Sequence, residues 1–163
     1  MGRDKLYPGK RLEEDFFTSA KNQKIKIQRL YDTTNGFRGI ANPCDFITTD
    51  GVHTLFIECK VTNNVRLPLS NISNNQYVEL LDWDRTKGAL GGILVFYKPD
   101  EILNAALYFI RLHDLNEFFK ENPGAASLPM SAAELIGLRV KYKPKRTHIS
   151  IDVAGFLSDT ARC

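Results

Sequence analysis

Leu12, Phe16 and Ala20 fall at i, i+4 and i+8, and Phe17 widens the stripe, so the pattern predicts an amphipathic helix over residues 10–22. From 24 to 30 the period changes to two. Ile25 and Ile27 alternate with Lys24, Lys26 and Gln28, as in a half-buried strand. Residues 31–42 hold an Asp, two Thr, two Asn and two Gly, which is loop chemistry. A strand over 44–48, a turn at Asp50-Gly51 and a second apolar-rich strand over 52–61 make a hairpin. A helix capped by Asn71 or Ser73 then runs through Gln76 to about residue 84. Gly88, Gly91 and Gly92 read as its break before a buried strand over 93–97. Beyond lie a strand over 105–112, a short helix over 114–121, a Pro-Gly loop and a helix opening at Ser131. There Ser-Ala-Ala-Glu is a capping-box pattern. A basic segment leads to a strand-like run over 148–153. The first half orders as helix, three strands, helix, strand (αβββαβ), and this predicts an α/β fold, a mixed β-sheet flanked by helices.

The 163 residues suit one domain, 1–163, with a single ordinary core. With 43% hydrophobic and 25% charged residues, the composition excludes wholesale disorder. The longest strongly apolar run, 90–97, is far short of the roughly twenty residues of a membrane helix, so no membrane association is expected. The amino terminus lacks the apolar core of a secretory signal. Cys44, Cys59 and Cys163 form neither a C-x-x-C pair nor an even framework, and reduced thiols in a cytoplasmic protein are expected. A net charge of +3 permits a polyanionic partner without establishing one.

The chemistry concentrates in Pro43-Cys44-Asp45, twelve further residues, and Glu58-Cys59-Lys60. Side chains alternate across a strand, so Glu58 and Lys60 share one face while Ile57, Cys59 and Val61 bury on the other. A hairpin turning at Asp50-Gly51 returns Asp45 alongside that pair. Two carboxylates and a lysine on one patch suit divalent-metal phosphodiester hydrolysis. Mg²⁺ takes one or two carboxylates plus water and phosphate oxygens, and the lysine can orient a water or stabilise charge at phosphorus. At about 100° per residue, Glu13 lies inside the apolar arc of the first helix and Glu14 points away. An inward carboxylate must be paired or metal-linked, so Glu13 is a third candidate ligand. The same pattern can equally be a surface ion pair on adjacent strands.

Pro43, Asp45, Glu58 and Lys60 resemble the PD-(D/E)xK nuclease signature, with one residue inserted between Pro and Asp. Together with residues 9–15, GKRLEED, and the block LPLSNIS at 67–73 followed by Gln76, they resemble the RecU family of Holliday junction resolvases. The resemblance runs from about residue 9 to 97. It implies a restriction-endonuclease-like core and a homodimeric, Mg²⁺-dependent endonuclease (Mn²⁺ substituting) that cuts four-way junction DNA by paired symmetric nicks. It also implies catalytic roles for Asp45, Glu58, Lys60, Glu13 and Gln76. Metal would be held by Asp45, Glu58, Glu13 and the backbone carbonyl of Cys59. The family's long stalk between its first strand and the catalytic Asp is reduced here to residues 32–42, a compact form that suits a phage version in a bacterial cell. Another PD-(D/E)xK endonuclease, nicking or restriction-like, and a non-catalytic junction-binding protein are the alternatives.

Arg139, Lys141, Lys143, Lys145 and Arg146 form a basic run broken by Tyr142 and Pro144. Alternation places the first four on one face, fitting phosphate contacts, although a solvated edge strand has the same pattern. Lys10, Arg11 and Arg38 are further phosphate-contact candidates. His53, His113 and His148 lack metal-ligand spacing.

Overall fold

The computed structural model of the chain describes residues 9–31, 42–99 and 104–163. Helix α1 (Gly9–Asn22) buries Leu12, Phe16 and Ala20, the stripe its periodicity predicts. Strands β1 (Ile27–Arg29), β2 (Phe46–Thr49) and β3 (Thr54–Thr62) follow, and the β2–β3 turn contains Gly51 at φ 88°. A short strand, β4 (Arg66–Pro68), precedes α2 (Asn74–Arg85) and β5 (Ala89–Tyr97). The second half adds β6 (Ala106–Arg111), α3 (Leu112–Glu121), β7 (Ser127–Pro129), α4 (Met130–Ile136), β8 (Leu138–Arg139), β9 (Tyr142–Pro144), β10 (Ile149–Ile151) and α5 (Val153–Thr160).

One six-stranded mixed sheet, in the order β1-β2-β3-β5-β6-β8, forms the centre of the described residues. In it β3 and β5 are parallel, joined through α2, and the other neighbours are antiparallel. On one face, Ile57 and Cys59 of β3 pack with Leu12 and Phe16 of α1 and Phe156 of α5. On the other, Phe56, Ile93 and Val95 pack with Leu80 of α2 and Leu112 and Leu115 of α3. Covered on both faces, β5 has all nine residues buried. The αβββαβ core is therefore present, with β4 inserted before α2.

Four details differ from the sequence expectation. Strand β5 starts at Ala89, so Gly91 and Gly92 lie within it rather than breaking the chain before it. A Cβ at 91 would strike the Leu80 carbonyl oxygen, and one at 92 the Phe109 ring, so these glycines permit close packing. Ser131 lies inside α4, whose N-cap is Pro129 without a side-chain bond, so the capping-box reading there is wrong. The run over 148–153 ends at β10, and α5 begins at Val153, where the Asp152 side chain accepts from the Gly155 N–H. The basic run is not one edge strand: Arg139 pairs with Tyr108 in the main sheet, whereas Lys143 pairs with Ser150 in a separate hairpin.

Candidate active site

The β2–β3 register pairs Phe46 with Ile57, so Asp45, one residue earlier, stands beside Glu58. The Asp45 N–H donates to the Ile57 carbonyl at 3.0 Å, and Asp45 Oδ2 accepts from the Cys59 N–H at 2.8 Å. Alternation along β3 sends Ile57 and Cys59 into the α1 core and Glu58 and Lys60 to the α2 side, as expected. Glu58 is only 4% exposed. Its Oε1 meets Lys60 Nζ at 2.9 Å and accepts from Gln76 Nε2 at 2.8 Å, while Gln76 Oε1 accepts from Lys60 Nζ at 3.3 Å. The structure thus brings together Asp45, Glu58, Lys60 and Gln76.

Gln76 reaches this cluster because of the chain that precedes it. Thr62 Oγ1 donates to the Arg66 carbonyl at 2.8 Å, and β4 then pairs with β7. The 124–129 segment thereby gains a structural role, because β7 pairs with the start of the LPLSNIS block and the Ala126 carbonyl accepts from the Leu69 N–H at 2.9 Å. That block makes a 3₁₀ turn at Leu69–Asn71 and delivers Ser73, one of the two expected caps, to the N-cap of α2.

Glu13 is held differently from the expectation of a shared metal cluster. Its Oε2 accepts from Arg29 at 3.0 Å, and Glu14, expected to point away, accepts from the same guanidinium at 2.6 Å. The hydrogen bond that Arg29 donates to Glu14 is the main cause that raises the Arg29 pKa, against the opposing effect of burial. Arg29 also lies 5.3 Å from the Tyr31 ring centroid and 5.9 Å from that of Phe46. Sequence reading missed Arg29. Its signal was parity, since it continues the Ile25, Ile27 register that faces inward, where an arginine needs an acidic partner.

Burial pushes the Glu58 carboxyl up to about 7, Asp45's charge adds to this, and Lys60 only partly offsets it. Two carboxylates and one ammonium leave this buried pocket short of positive charge. An oxygen-seeking divalent cation would supply it, and Asp45 and Glu58 meet the one or two carboxylates that Mg²⁺ commonly takes from protein. Among the described residues no group of three or more His, Cys, Asp or Glu is arranged to hold a metal ion. Asp45 and Glu58 are thus the two carboxylates whose chemistry suits a cation here, while Glu13 is engaged by Arg29. The Cys59 thiol is buried and its pKa lies well above the usual thiol value, chiefly through burial, so it is a core group and not a nucleophile. Cys44, likewise buried, is pushed up to about 12.

Lys10 and Arg11 are exposed on the first turn of α1. Arg38 lies outside the described residues. Arg139, Lys141 and Lys143 are exposed and line one groove with Gln23, Tyr142 and Asp152, whereas Lys145 and Arg146 are exposed in the turn between β9 and β10. Val140 N donates to the Leu107 carbonyl and Tyr142 Oη to that of Ala105. Through the pairs Ala106–Tyr97 and Tyr97–Thr62, this groove is at the same end of the sheet as Lys60. Strand β8 is three strand positions from β3, about 14 Å across the sheet. His53 Nδ1 pairs with Asp50 at 3.0 Å, and His113 and His148 are exposed. No helix among the described residues is long and apolar enough to cross a membrane.

No protein-family model matches the chain. A curated relative, the Holliday junction resolvase RecU of Pediococcus pentosaceus, is 30% identical over 86 residues, which is 52% of this chain. The matched part spans 40% of that relative's length. Among solved structures, Archaeoglobus fulgidus Hjc, a Holliday junction resolvase from an archaeal hyperthermophile, superposes with a TM-score of 0.54. That alignment covers 91% of this chain and 99% of that one, at 21% identity. The mixed sheet flanked by helices is therefore the fold of that archaeal resolvase, and the chain also shares a stretch of sequence with a bacterial one.

Proposed function

We propose that this protein is a divalent-metal-dependent endonuclease that resolves four-way DNA junctions by paired nicks. The observation that carries the reading is the convergence of Asp45, Glu58, Lys60 and Gln76 on the α2 side of β3. The relatives' names and the shared fold direct it to junctions. Mg²⁺, with Mn²⁺ as a substitute, would be held by Asp45 and Glu58 with the Cys59 backbone carbonyl, and would polarise phosphoryl oxygen and lower the pKa of water.

The chain's own groups do the rest. Asp45 is locked to the β3 backbone through Cys59, which sets where its carboxylate stands relative to Glu58. Lys60, held by Glu58 and Gln76, presents an ammonium that orients water or stabilises negative charge developing at phosphorus. The cations of the 139–146 segment hold phosphates away from the reaction. Because one such site makes one nick, paired nicks in strands of like polarity require two copies of the site, and a two-fold homodimer is the simplest source.

A gel assay decides the reading. Labelled four-way junction and linear duplex of the same sequence are incubated with protein, with and without Mg²⁺ or Mn²⁺. Symmetric nicks in the junction, dependent on metal and absent from linear duplex, are expected. Equal cutting of linear duplex would leave a nuclease of another kind, and binding without cutting in any metal would leave a junction-binding protein. Light scattering, alone and with junction, should give the dimer mass, and a monomer in both conditions would remove the paired-nick mechanism.

A further inference from the structure

The first turn of α2 and the Glu58–Lys60 pair share one side chain. Ser73 caps the helix in a reciprocal box: its Oγ accepts from the Gln76 N–H at 3.2 Å, and its own N–H donates to Gln76 Oε1 at 3.1 Å. The same Gln76 amide bonds Lys60 and Glu58. A glutamine amide has one acceptor end and one donor end. Ser73 N–H and Lys60 Nζ are both donors here, and the Glu58 carboxylate is an acceptor. Turning the amide over would set its NH₂ against two donors and its oxygen against a carboxylate. The backbone N–H of Ser73 cannot move without unwinding the helix start, so it selects the orientation that leaves Nε2 for Glu58.

We propose that Ser73 is a positioning residue for the Glu58–Lys60 pair, its backbone N–H fixing the Gln76 amide that holds both charges. This rests on the reading of that pair as part of the reaction centre. In an ordinary capping box the glutamine ends its task at the helix terminus. Here the same amide that completes the box also bonds the two strand residues, so the N-cap backbone is the point from which they are held.

Two substitutions separate positioning from capping. Ser73→Ala removes only the hydroxyl cap, and Ser73→Pro removes the hydroxyl and the N–H. Proline suits the site, because Ser73 has φ −65° and the preceding Ile72 is extended at φ −103°, ψ 118°. Under single turnover, Ser73→Pro should cut junctions about tenfold more slowly than Ser73→Ala, with little change in KM. That gap should vanish in a Gln76→Ala background. In metal-free protein, the Gln76 side-chain amide resonances should keep bonded values in Ser73→Ala and move to solvent values in Ser73→Pro.

A third measurement needs no variant at Ser73: the Ser73 amide should exchange slowly with solvent in the wild type and rapidly in Gln76→Ala. Equal behaviour of the Ala and Pro variants, or a gap that persists without Gln76, overturns the proposal. Unchanged Ser73 exchange in Gln76→Ala overturns it even if the Pro variant does not fold. If the wild type cuts no DNA, the nuclease reading fails while the resonance and exchange measurements still decide this one.

Discussion

Asp45 Oδ2 accepts the Cys59 N–H at 2.8 Å, so one carboxylate both adds its charge beside Glu58 and ties the start of β2 to β3. Asparagine can offer its carbonyl oxygen to the same N–H while losing the charge. Asp45→Asn should therefore fold normally, keep junction affinity in the absence of metal, and cut at least about a hundredfold more slowly. Glu58→Gln and Lys60→Ala should act in the same direction. The check is single-turnover cleavage beside a gel-shift titration, and a folded Asp45→Asn protein cutting at the wild-type rate would remove Asp45 from the metal site.

Glu58 predicts an unusual stability profile for the metal-free protein. Its folded pKa, about 7, is raised above the ordinary 4.5 by burial and then by Asp45. The folded state therefore holds this proton after the unfolded chain has lost it. The associated stability is fully present below about pH 4.5, falls as pH rises towards 7, and levels off above. The loss is on the order of 3 kcal/mol. Denaturant unfolding at about pH 5 and about pH 7.5, in chelator, should show the wild type losing more stability than Glu58→Gln between the two. Parallel losses in both proteins would mean that Glu58 does not titrate in this window.

Much of this arrangement was legible in the chain. The period-two pattern over 52–61 gave Glu58 and Lys60 a common face, and the Asp50-Gly51 turn returned Asp45 beside them. Both depend on local spacing. Gln76 is pointed to only by the family resemblance, and the sequence leaves Asn71 and Ser73 both open as the cap of α2. What was not legible depends on distant partners. The pairing of β7 with β4, which explains 124–129, joins segments some sixty residues apart with no shared pattern. Helix α5 was hidden because Val153 follows directly on the β10 alternation, and its cap, Asp152, looked like another polar strand position. Gly91 and Gly92 resembled punctuation, since only the packed positions of Leu80 and Phe109 show why side chains are missing there.

Arg29 controls what Glu13 does. With Glu13 at 3.0 Å and Glu14 at 2.6 Å, the guanidinium pairs with two neighbouring carboxylates of the first helix. Glu13→Gln retains an acceptor for Arg29 and should cut only a few-fold more slowly than the wild type, milder than any change at Asp45 or Glu58. Arg29→Met should instead cost about 1–2 kcal/mol of stability, because it strands two carboxylates, one of them three-quarters buried. Adding Glu13→Gln to Arg29→Met should recover part of that loss. Thermal unfolding of the three variants tests the coupling, and strictly additive changes would show that the two residues act independently.

The groove formed by Arg139, Lys141 and Lys143 separates affinity from chemistry. It lies at the Lys60 end of the sheet. Its Arg139, in β8, is three strand positions from β3, about 14 Å across the sheet, which sets that cation apart from Lys60. The expected task of the groove's cations is to neutralise phosphates of a flanking duplex arm. Every phosphate that a variant no longer neutralises should reduce the slope of log affinity against log salt by about 0.9. Replacing Lys141 and Lys143 by alanine should therefore flatten that slope by about 1.8. Adding Lys145→Ala should change it less, since Lys145 sits in the β9–β10 turn outside the groove. At saturating protein the cleavage rate should stay at the wild-type value, because Asp45, Glu58 and Lys60 are untouched. Fluorescence anisotropy over a salt series, paired with saturated single-turnover cleavage, measures both quantities. An unchanged slope would make this segment a solvated edge, and a lowered saturated rate would place it in the chemistry instead.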